Sequence, residues 1–331
     1  MTANTHACYL VMKVGKEVIA RVESIPQEEF PPGEVTIQVE WSSLNYKDAL
    51  AATGHPGVVK KFPHVPGVDA AGTVVESSVN QYKPGQKVLV TGYDLGAGHW
   101  GGWAEIIRVP AEWIVPLPEG LTTQEAMIFG TAGFTAAQSI YQLIQHGITP
   151  ERGPILVTGA TGGVGSLAVM ILAKLGYRVS VVTGKADRAA WLKDLGAAEI
   201  LDRSALTDDG KKPLLSALWA GAVDTIGGPP LAHILRSILP GGCVTCCGLV
   251  AGTELPLTVY PFILRGITLC GIDSAYPPRS LREEIWQLLA SDWKPDLIAS
   301  LATTASLSSL SGYVQQILAG NISGRVVVQL K

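Results

Sequence analysis

The first third of the chain alternates apolar and polar residues with the period of a half-buried β-strand. In the segment PPGEVTIQVEWSSLN, apolar side chains occupy every second position: Val35, Ile37, Val39 and Trp41. Further short apolar runs follow as AAGTVVES, QKVLVTG, WAEIIRV and EWIVPLP, separated by proline and glycine. Several short strands at regular spacing predict a barrel-like or sandwich-like unit that ends near Pro118.

After Pro118 the pattern changes to helical segments that alternate with short apolar runs. The runs PILVTGA, YRVSVVTG, EILDR, AVDTIGG, CVTCCGL and ITLCGI are typical of strands, and PPLAHILRSIL and LREEIWQLLA of helices. This alternation predicts βαβ crossovers and a parallel, doubly wound sheet of the Rossmann type. The closing run ISGRVVVQL predicts a strand that returns to the first unit. The predicted fold class is therefore α/β, with a sheet domain inserted in a β-rich domain.

Composition and charge exclude several classes of function. The 331 residues are 47% apolar and carry 25 Lys and Arg against 28 Asp and Glu, without a basic run. Binding to nucleic acid or to an anionic membrane surface therefore has no support. The first residues, MTANTHACYLVMKVGK, lack the features of a secretory signal, and no apolar stretch reaches the ~20 residues that span a bilayer. We expect a cytoplasmic protein of two domains, with a single-domain barrel as the alternative.

The cysteines predict a reducing environment without structural disulfides. They are an odd number without regular spacing: Cys8, Cys243, Cys246, Cys247 and Cys270. The cluster in GGCVTCCGL suggests a metal site, but the nearest histidine, His233, is ten residues upstream in a predicted helix. Thiols on a strand also point to both faces, whereas a metal needs convergent ligands. The cluster is better interpreted as a buried strand.

A glycine-rich turn joins an apolar strand to an amphipathic helix in the segment ILVTGATGGVGSLAVMILAKLG, residues 155–176. Four glycines lie in or next to the turn: Gly159, Gly162, Gly163 and Gly165. Such a turn lets the backbone approach a pyrophosphate, whose charge is stabilised by exposed N–H groups at the helix N-terminus. A turn selected only for tight packing is the alternative.

The end of the next strand predicts which dinucleotide binds. An NAD site requires a carboxylate that accepts from the ribose 2′-hydroxyl, whereas a 2′-phosphate requires donors or cations. Here YRVSVV is followed by Thr183, Gly184 and Lys185, without an acid at the strand end. This favours NADP(H). In the alternative, Lys185 and Arg188 begin a solvated helix and Asp187 contacts the ribose.

An ordered series of motifs then identifies a family. The motifs are SSLNYKDALAATG, PHVPGVDAAGTV, GHWGGWAE, IFGTAGFTA, VTGATGGVGSLAV, WAGAVDTIGG and LPLTVYPFILRGITLCGIDSAYPP. Together, over residues 8–330, they resemble the YhdH/YhfP group of medium-chain dehydrogenases/reductases. The resemblance implies a GroES-like catalytic domain, residues 1–124 and 273–331, and a Rossmann NADP-binding domain, residues 125–272.

The resemblance also implies a zinc-free reductase, without metal-ligating residues. Zinc-dependent relatives carry a cysteine at the position of Asn45 and a His-Glu pair at Val68 and Asp69. An amide is a poor ligand for zinc and valine has no donor atom. No cysteine lies between Cys8 and Cys243, so a four-cysteine zinc lobe is also missing.

The reaction implied by the resemblance is NADPH-dependent reduction of the C=C bond of an α,β-unsaturated acyl thioester, from acryloyl-CoA to propanoyl-CoA. A quinone or enone oxidoreductase and a non-catalytic NADPH-sensing protein are the alternatives. The implied catalytic residues are Tyr46, Asn45 and Asp69. The implied cofactor contacts are Tyr46, Thr161, Gly162, Gly163, Val164, Thr183, Gly184, Lys185, Arg203, Leu249, Ile263, Ser274 and Asn321.

Several of these assignments have structural alternatives. Leu249 and Ile263 could be ordinary core residues, Arg203 a surface charge, and Asp69 a cap for local N–H groups. The strands GGCVTCCGL and GITLCGI also leave an apolar sheet edge that must be covered. In this superfamily that edge commonly pairs with a second subunit, which implies a homodimer.

Overall fold

The computed structural model describes residues 4–330, which divide into two units. Unit 1 contains the described residues up to Thr131, together with Ala275–Glu283 and the described residues from Leu297 onward. Unit 2 contains Ala132–Ser274 and Glu284–Asp296. Each unit has its own sheet, as the change of sequence pattern predicts.

The elements follow one another along the chain in three groups. The first group is β1 Thr5–Val14, β2 Glu17–Pro26, β3 Val35–Leu44, α1 Tyr46–Ala52, β4 Asp69–Ser77, β5 Lys87–Thr91, β6 Ile106–Val109, β7 Val115–Pro116 and α2 Thr123–Gln145. The second is β8 Ile155–Thr158, α3 Gly163–Lys174, β9 Val179–Thr183, α4 Ala189–Asp194, β10 Ala197–Asp202, β11 Trp219–Asp224, α5 Gly228–Arg236, β12 Ile238–Cys246, α6 Tyr260–Arg265 and β13 Thr268–Gly271. The third is α7 Arg279–Ala290, β14 Ala302–Ser306, α8 Leu310–Leu318 and β15 Arg325–Gln329.

Unit 1 is built on a seven-stranded sheet with β3 near its centre. Strand β3 pairs antiparallel with β4, β6 and β15, and the order along the sheet is β14-β15-β3-β4-β5-β7. The alternating residues Val35, Ile37 and Val39 are buried. The closing strand β15 joins this sheet, which confirms that the chain returns to the first unit.

An N-terminal hairpin formed by β1 and β2 was not among the predicted elements. Val14 pairs with Glu17, so the loop has two residues, and its first residue, Gly15, has φ +64°. A two-residue loop with glycine in this conformation joins strands in the twist that hairpins favour. The sequence VGKE therefore contained the signal for this hairpin.

Unit 2 is built on a six-stranded sheet in which every pairing is parallel. Its order is β10-β9-β8-β11-β12-β13. The order reverses between β8 and β11, which is the topological switch point where dinucleotides bind in doubly wound sheets. The predicted Rossmann-type sheet is confirmed. Among residues 4–330, no helix is both long and apolar enough to cross a membrane.

Candidate active site

The glycine turn lies between β8 and α3, at the switch point of the unit 2 sheet. Gly159 has φ +57°, and a Cβ there would lie 2.3 Å from Thr225 Oγ1. A Cβ on Gly165 would lie 2.3 Å from the carbonyl oxygen of Gly159. Only glycine fits at either position, because a Cβ on Gly159 would clash with Thr225 after β11, and a Cβ on Gly165 would force the glycine turn and the first turn of α3 apart. The turn thus brings bare backbone and the N-terminus of a 12-residue helix to one place.

A buried carboxylate beside this turn was not predicted from the sequence. Asp224, at the end of β11, accepts hydrogen bonds from Thr158 Oγ1 at 2.8 Å and from the backbone N–H of Gly227 at 2.7 Å. Thr158 Oγ1 in turn accepts from the N–H of Thr225 at 2.9 Å. Burial raises the pKa of Asp224. These bonds fasten the ends of β8 and β11 together, so Asp224 positions the turn.

A cavity of about 390 Å³ opens next to the glycine turn. Its lining residues are Gly159, Thr161, Val182, Thr183, Gly184, Arg203, Leu206, Thr207, Ile226, Pro230, Val250 and Ala251. Four of the predicted cofactor contacts are therefore brought together: Thr161, Thr183, Gly184 and Arg203. The other predicted contacts of unit 2 do not line this cavity.

The end of the cavity at β9 carries clustered positive charge. A Cβ on Gly184 would lie 2.3 Å from Arg203 Nε, so the guanidinium packs on the bare backbone. The backbone N–H of Lys185 donates to Thr183 Oγ1 at 3.0 Å. Partial burial, with the positive charge of Arg188, lowers the pKa of Lys185, and the charge of Arg203 acts in the same direction. Cations gathered at this strand end fit a dinucleotide with a 2′-phosphate.

The alternative ribose contact, Asp187, has a different partner. Its carboxylate lies 3.5 Å from Arg188 Nε, and its side chain is 74% exposed. A hydrated surface pair of this kind contributes little to stability. The residue gives no indication of an NAD-type carboxylate at the strand end.

The residues predicted for the nicotinamide end differ in their surroundings. Leu249 and Ile263 are 66% and 68% exposed, so the alternative that they are ordinary core residues is wrong. Ser274 accepts a hydrogen bond from Thr135 Oγ1 at 2.8 Å. Asn321, in unit 1, is exposed and follows α8, with its backbone N–H bonded to the carbonyl of Gln316 at 2.9 Å.

Asp69 lies at the centre of a buried polar network in unit 1. Its carboxylate accepts from Ser43 Oγ at 2.5 Å and from Asn45 Nδ2 at 2.8 Å. It also accepts from the backbone N–H of Thr131 at 2.9 Å and from Thr131 Oγ1 at 2.6 Å. Helix α2 is interrupted at Gly130, and Asp69 caps the segment that restarts at Thr131. Asp69 thus has a structural partner at each oxygen.

The amide of Asn45 is also fully used within unit 1. Its Nδ2 donates to Asp69, to Ser43 Oγ at 3.0 Å and to Asp48 Oδ2 at 3.2 Å, and its Oδ1 accepts from Arg325 Nη1 at 3.1 Å. A side-chain amide has two N–H donors, so three neighbouring acceptors already exceed its capacity. Asn45 therefore fixes the start of α1 and has no donor left for a substrate.

Asp48 forms the second buried carboxylate beside Asn45. It accepts from the backbone N–H groups of Asn45 at 2.8 Å, Gly67 at 3.1 Å and Val68 at 2.8 Å. Burial, followed by the negative charge of Asp69, raises the pKa of Asp48 to about 7. This residue joins α1 to the turn before β4.

Tyr46 differs from the other two predicted catalytic residues. It is the first residue of α1 and its side chain is 53% exposed. Within residues 4–330, its hydroxyl group has no hydrogen-bond partner. Of the three, Tyr46 has a polar group without a hydrogen-bond partner among residues 4–330, whereas Asn45 and Asp69 bond to each other and to neighbouring groups of unit 1.

Comparisons with known proteins agree with this arrangement. Residues 31–119 match the model of the alcohol dehydrogenase GroES-like domain, and residues 163–291 match the model of the zinc-binding dehydrogenase family. The acrylyl-CoA reductase AcuI of Ruegeria pomeroyi is 48% identical over 94% of each chain. The Bacillus subtilis protein YhfP, whose name assigns it provisionally to the quinone oxidoreductases, is 46% identical over 96% of this chain and 97% of its own.

Solved structures show the same fold over nearly the whole chain. The yhdH oxidoreductase of Salmonella enterica in complex with NADP has a TM-score of 0.95 and 44% identity, and covers 98% of this chain and 100% of its own. Bacillus subtilis yhfP with NAD bound has a TM-score of 0.97 and 44% identity, with 99% and 100% covered. These matches confirm the resemblance found in the motifs. The chain belongs to the medium-chain dehydrogenase/reductase superfamily, in the group that contains AcuI, YhdH and YhfP.

Proposed function

We propose that this protein is a zinc-independent enzyme that uses NADPH to reduce the C=C bond of an α,β-unsaturated acyl thioester, with acryloyl-CoA as the leading substrate. The observation that supports the proposal is the glycine turn with a cluster of cations at the switch point of the unit 2 sheet. Two relatives of the chain, at 48% and 44% identity, are named as an acrylyl-CoA reductase and a probable one. The product would be propanoyl-CoA.

The cofactor would be held by unit 2. The N–H groups from Thr161 to Val164 would bind the pyrophosphate, because the N-terminus of α3 stabilises negative charge. Arg203 and Lys185 would bind the 2′-phosphate, and Leu249, Ile263 and Ser274 would contact the nicotinamide end. Bound NADPH supplies the hydride that reaches the β-carbon of the thioester.

Unit 1 would supply the groups that orient the reacting molecules. Tyr46 would donate from its free hydroxyl to the cofactor or the acceptor, and Asn45 and Asp69 would position it through the start of α1. Negative charge develops on the thioester oxygen during reduction, so hydrogen-bond donors must stabilise that oxygen in place of a metal ion. Asn321 remains a further proposed cofactor contact.

Reduction of quinones or enones is the second candidate function. It is supported by the name of YhfP and by the fact that hydride transfer to either class of acceptor needs the same cofactor site. The structure of yhfP has NAD bound, so the choice of dinucleotide also requires a test. An NADPH-binding protein without turnover is the remaining alternative.

Steady-state oxidation of NADPH with three acceptors separates these candidates. We expect the highest kcat/KM with acryloyl-CoA, a lower value with crotonoyl-CoA and the lowest with a benzoquinone. A higher kcat/KM with the quinone would favour the second candidate. Tight binding of NADPH without turnover of any acceptor would contradict both enzymatic functions.

The same proposal includes the setting in which the enzyme works. We propose a GroES-like catalytic domain of residues 1–124 and 273–331 and a Rossmann NADP-binding domain of residues 125–272. We also propose a homodimer and a cytoplasmic location. The homodimer is supported by β13, which is the last strand of the unit 2 sheet and has one edge without a strand partner among residues 4–330. One chain has a mass of 34.9 kDa, and light scattering coupled to size-exclusion chromatography should give twice that mass. The monomer mass would contradict the dimer.

A further inference from the structure

Three side chains with soft ligand atoms converge at one edge of the unit 2 sheet. They come from adjacent strands β12 and β13 and from the residue that follows α2: Cys243, Cys270 and His146. Cys243 Sγ lies 3.8 Å from Cys270 Sγ, and Cys270 Sγ lies 3.9 Å from His146 Nε2. All three ligand atoms lie within 4.8 Å of one another. The motif analysis found Cys243 but missed both partners, because they are distant in sequence.

Two of these separations are close to the edges of a tetrahedral metal site. Zinc binds thiolate sulfur at about 2.3 Å and imidazole nitrogen at about 2.0–2.1 Å. In a regular tetrahedron those bonds place two sulfurs about 3.8 Å apart and a sulfur and a nitrogen about 3.6 Å apart. The sulfur–sulfur distance of 3.8 Å agrees, and the distance from Cys270 Sγ to His146 Nε2 is about 0.3 Å longer than the ideal edge. The third edge, between Cys243 and His146, is within 4.8 Å, so the exposed imidazole would have to move toward the two sulfurs when the ion binds.

The imidazole of His146 is already oriented for coordination. Its Nδ1 lies 2.8 Å from the carbonyl oxygen of Gln142, so Nδ1 carries the proton and donates it. In that tautomer Nε2 is unprotonated and its lone pair points toward Cys270. Metal-bound histidines commonly donate their second ring N–H to a backbone carbonyl, which fixes the ring and increases the basicity of the ligand atom.

We propose that Cys243, Cys270 and His146 bind one Zn²⁺ ion, with a water molecule as fourth ligand. Two thiols lose their protons to solvent, and the resulting two thiolates balance the charge of the ion. A site without net charge fits this position, because Cys243 is fully buried and a buried net charge is unfavourable. His146 is exposed, so water can reach the ion as the fourth ligand. Thiolate and imidazole ligands are the set that zinc prefers.

Binding of the ion requires the thiol of Cys243 to lose its proton, which costs free energy. Burial, followed by the neighbouring thiol of Cys270, raises the pKa of Cys243 to about 12. The thiol is therefore protonated until a cation arrives, and a coordinated cation removes the proton from a bound thiol. The site uses none of the positions at which zinc-dependent relatives hold their catalytic metal, so the proposal is independent of the proposed reaction.

The ion would join the end of α2 to the edge of the parallel sheet. His146 follows Gln145, the last residue of α2, and β13 is the outermost strand in the described order. An ion bound to the folded unit and not to the unfolded chain stabilises the fold by mass action. We therefore expect Zn²⁺ to raise the thermal midpoint of unfolding.

The test uses the full chain, kept reduced and freed of metal by a chelator. Co²⁺ is added as a spectroscopic probe, and Zn²⁺ is then added in competition. We expect one equivalent of Co²⁺ to bind, with a thiolate-to-metal charge-transfer band and the visible bands of a tetrahedral ion, and Zn²⁺ to displace it. Cys270→Ser and His146→Ala should each weaken binding on the order of ten-fold or more, since even loss of a supporting hydrogen bond costs about ten-fold.

Cys246→Ser is the matched control. It changes a thiol on the same strand, but Cys246 packs with Val244 against the hydrophobic core on the opposite face of β12. We expect its Co²⁺ spectrum and affinity to match those of the unmodified protein. Absence of stoichiometric binding, binding that is unchanged in both Cys270→Ser and His146→Ala, or an equal loss in Cys246→Ser would overturn the site. Binding that depends on Cys270 but not on His146 would overturn the three-ligand assignment.

Discussion

The guanidinium of Arg203 lies directly against the backbone of Gly184. A Cβ built on Gly184 would be 2.3 Å from Nε and 2.4 Å from Cζ of Arg203. The φ angle of Gly184 lies outside the left-handed region, so any residue could adopt its backbone conformation. The glycine is therefore required for the position of the arginine and not for the backbone. Because Gly184 has no side chain, Arg203, the cation that would bind a 2′-phosphate, can occupy this position.

Gly184→Ala should consequently weaken NADPH binding by displacing Arg203. Loss of one hydrogen bond to a charged group costs about 1.5–3 kcal/mol, so we expect a Kd about ten- to a hundred-fold higher for NADPH and a small change for NADH. Nucleotide fluorescence titration measures both. Gly312→Ala is the control, because a Cβ there meets nothing within 4 Å. Equal losses for the two nucleotides would show that Arg203 does not read the 2′-phosphate.

Lys185→Glu tests the second cation by reversing its charge. A carboxylate beside the 2′-phosphate repels it, while NADH lacks that group, so we expect a loss of more than about ten-fold in affinity for NADPH alone. Lys211→Glu is the matched control, since Lys211 is exposed and its ion pair among residues 4–330 is with the nearby Asp209 in its own loop. A protein that binds NADH and NADPH equally well before and after Lys185→Glu would contradict the assignment of NADPH.

The parts of the fold that are periodic or local were predictable from the sequence. Alternation along Val35–Leu44 predicted β3, and the strand, glycine turn and helix around Gly159 predicted the dinucleotide site. Contacts between distant residues were not predictable, since composition and spacing do not specify which side chains meet. Asp69 caps the helix segment at Thr131, 62 residues away, and Cys270 meets His146, 124 residues away.

The roles of Asn45 and Asp69 show the same limit. The motif SSLNYKDALAATG places Asn45 next to Tyr46, and the family resemblance implied that Asn45, Tyr46 and Asp69 are catalytic residues facing the nicotinamide. The structure shows how completely the Asn45 amide and the Asp69 carboxylate are occupied by Ser43, Thr131 and Arg325. Whether a polar side chain is free depends on tertiary contacts, which a motif does not contain.

Tyr46→Phe should separate cofactor binding from proton transfer. The change removes a hydroxyl group without internal partners among the described residues and keeps the ring. We expect NADPH to bind about three- to ten-fold more weakly, the effect of one lost hydrogen bond, with kcat reduced less than about ten-fold. Stopped-flow binding and steady-state kinetics give the two values. A fall in kcat of about 10²-fold or more with unchanged NADPH affinity would instead identify Tyr46 as the proton donor.

Asp48 should make the stability of the protein depend on pH near neutrality. Its folded-state pKa is raised to about 7, whereas an unfolded aspartate titrates near ~3.9. Between these values the folded state binds the extra proton, so the free energy of unfolding falls as pH rises, by up to ~1.4 kcal/mol per pH unit. Above pH 7 this dependence ends. Urea unfolding from pH 4.5 to 8 measures it.

Asp48→Asn is the comparison that isolates this group. Asparagine has nearly the same shape but does not titrate, so the slope between pH 4.5 and 7 should become less negative by up to the same ~1.4 kcal/mol per pH unit. Groups that do not interact with Asp48 contribute equally to both proteins and cancel in the difference. Identical slopes would mean that Asp48 is ionised in the folded protein throughout this range, stabilised by the N–H groups of Gly67 and Val68.

Removal of metal should leave the proposed reduction intact. Zinc-dependent relatives place ligands at the positions of Asn45, Val68 and Asp69. Here the N–H groups of the Asn45 amide are used in hydrogen bonds, valine has no donor atom, and the carboxylate of Asp69 accepts from the N–H of Thr131. After chelation and gel filtration we expect kcat/KM for acryloyl-CoA to stay within about two-fold of its value before chelation.

The Cys270→Ser variant is treated in parallel, because it lacks one ligand of the proposed zinc site in unit 2. In the unmodified protein, chelation should lower only the thermal midpoint. Activity that is lost on chelation and restored by one equivalent of zinc in both proteins would contradict a mechanism without catalytic metal.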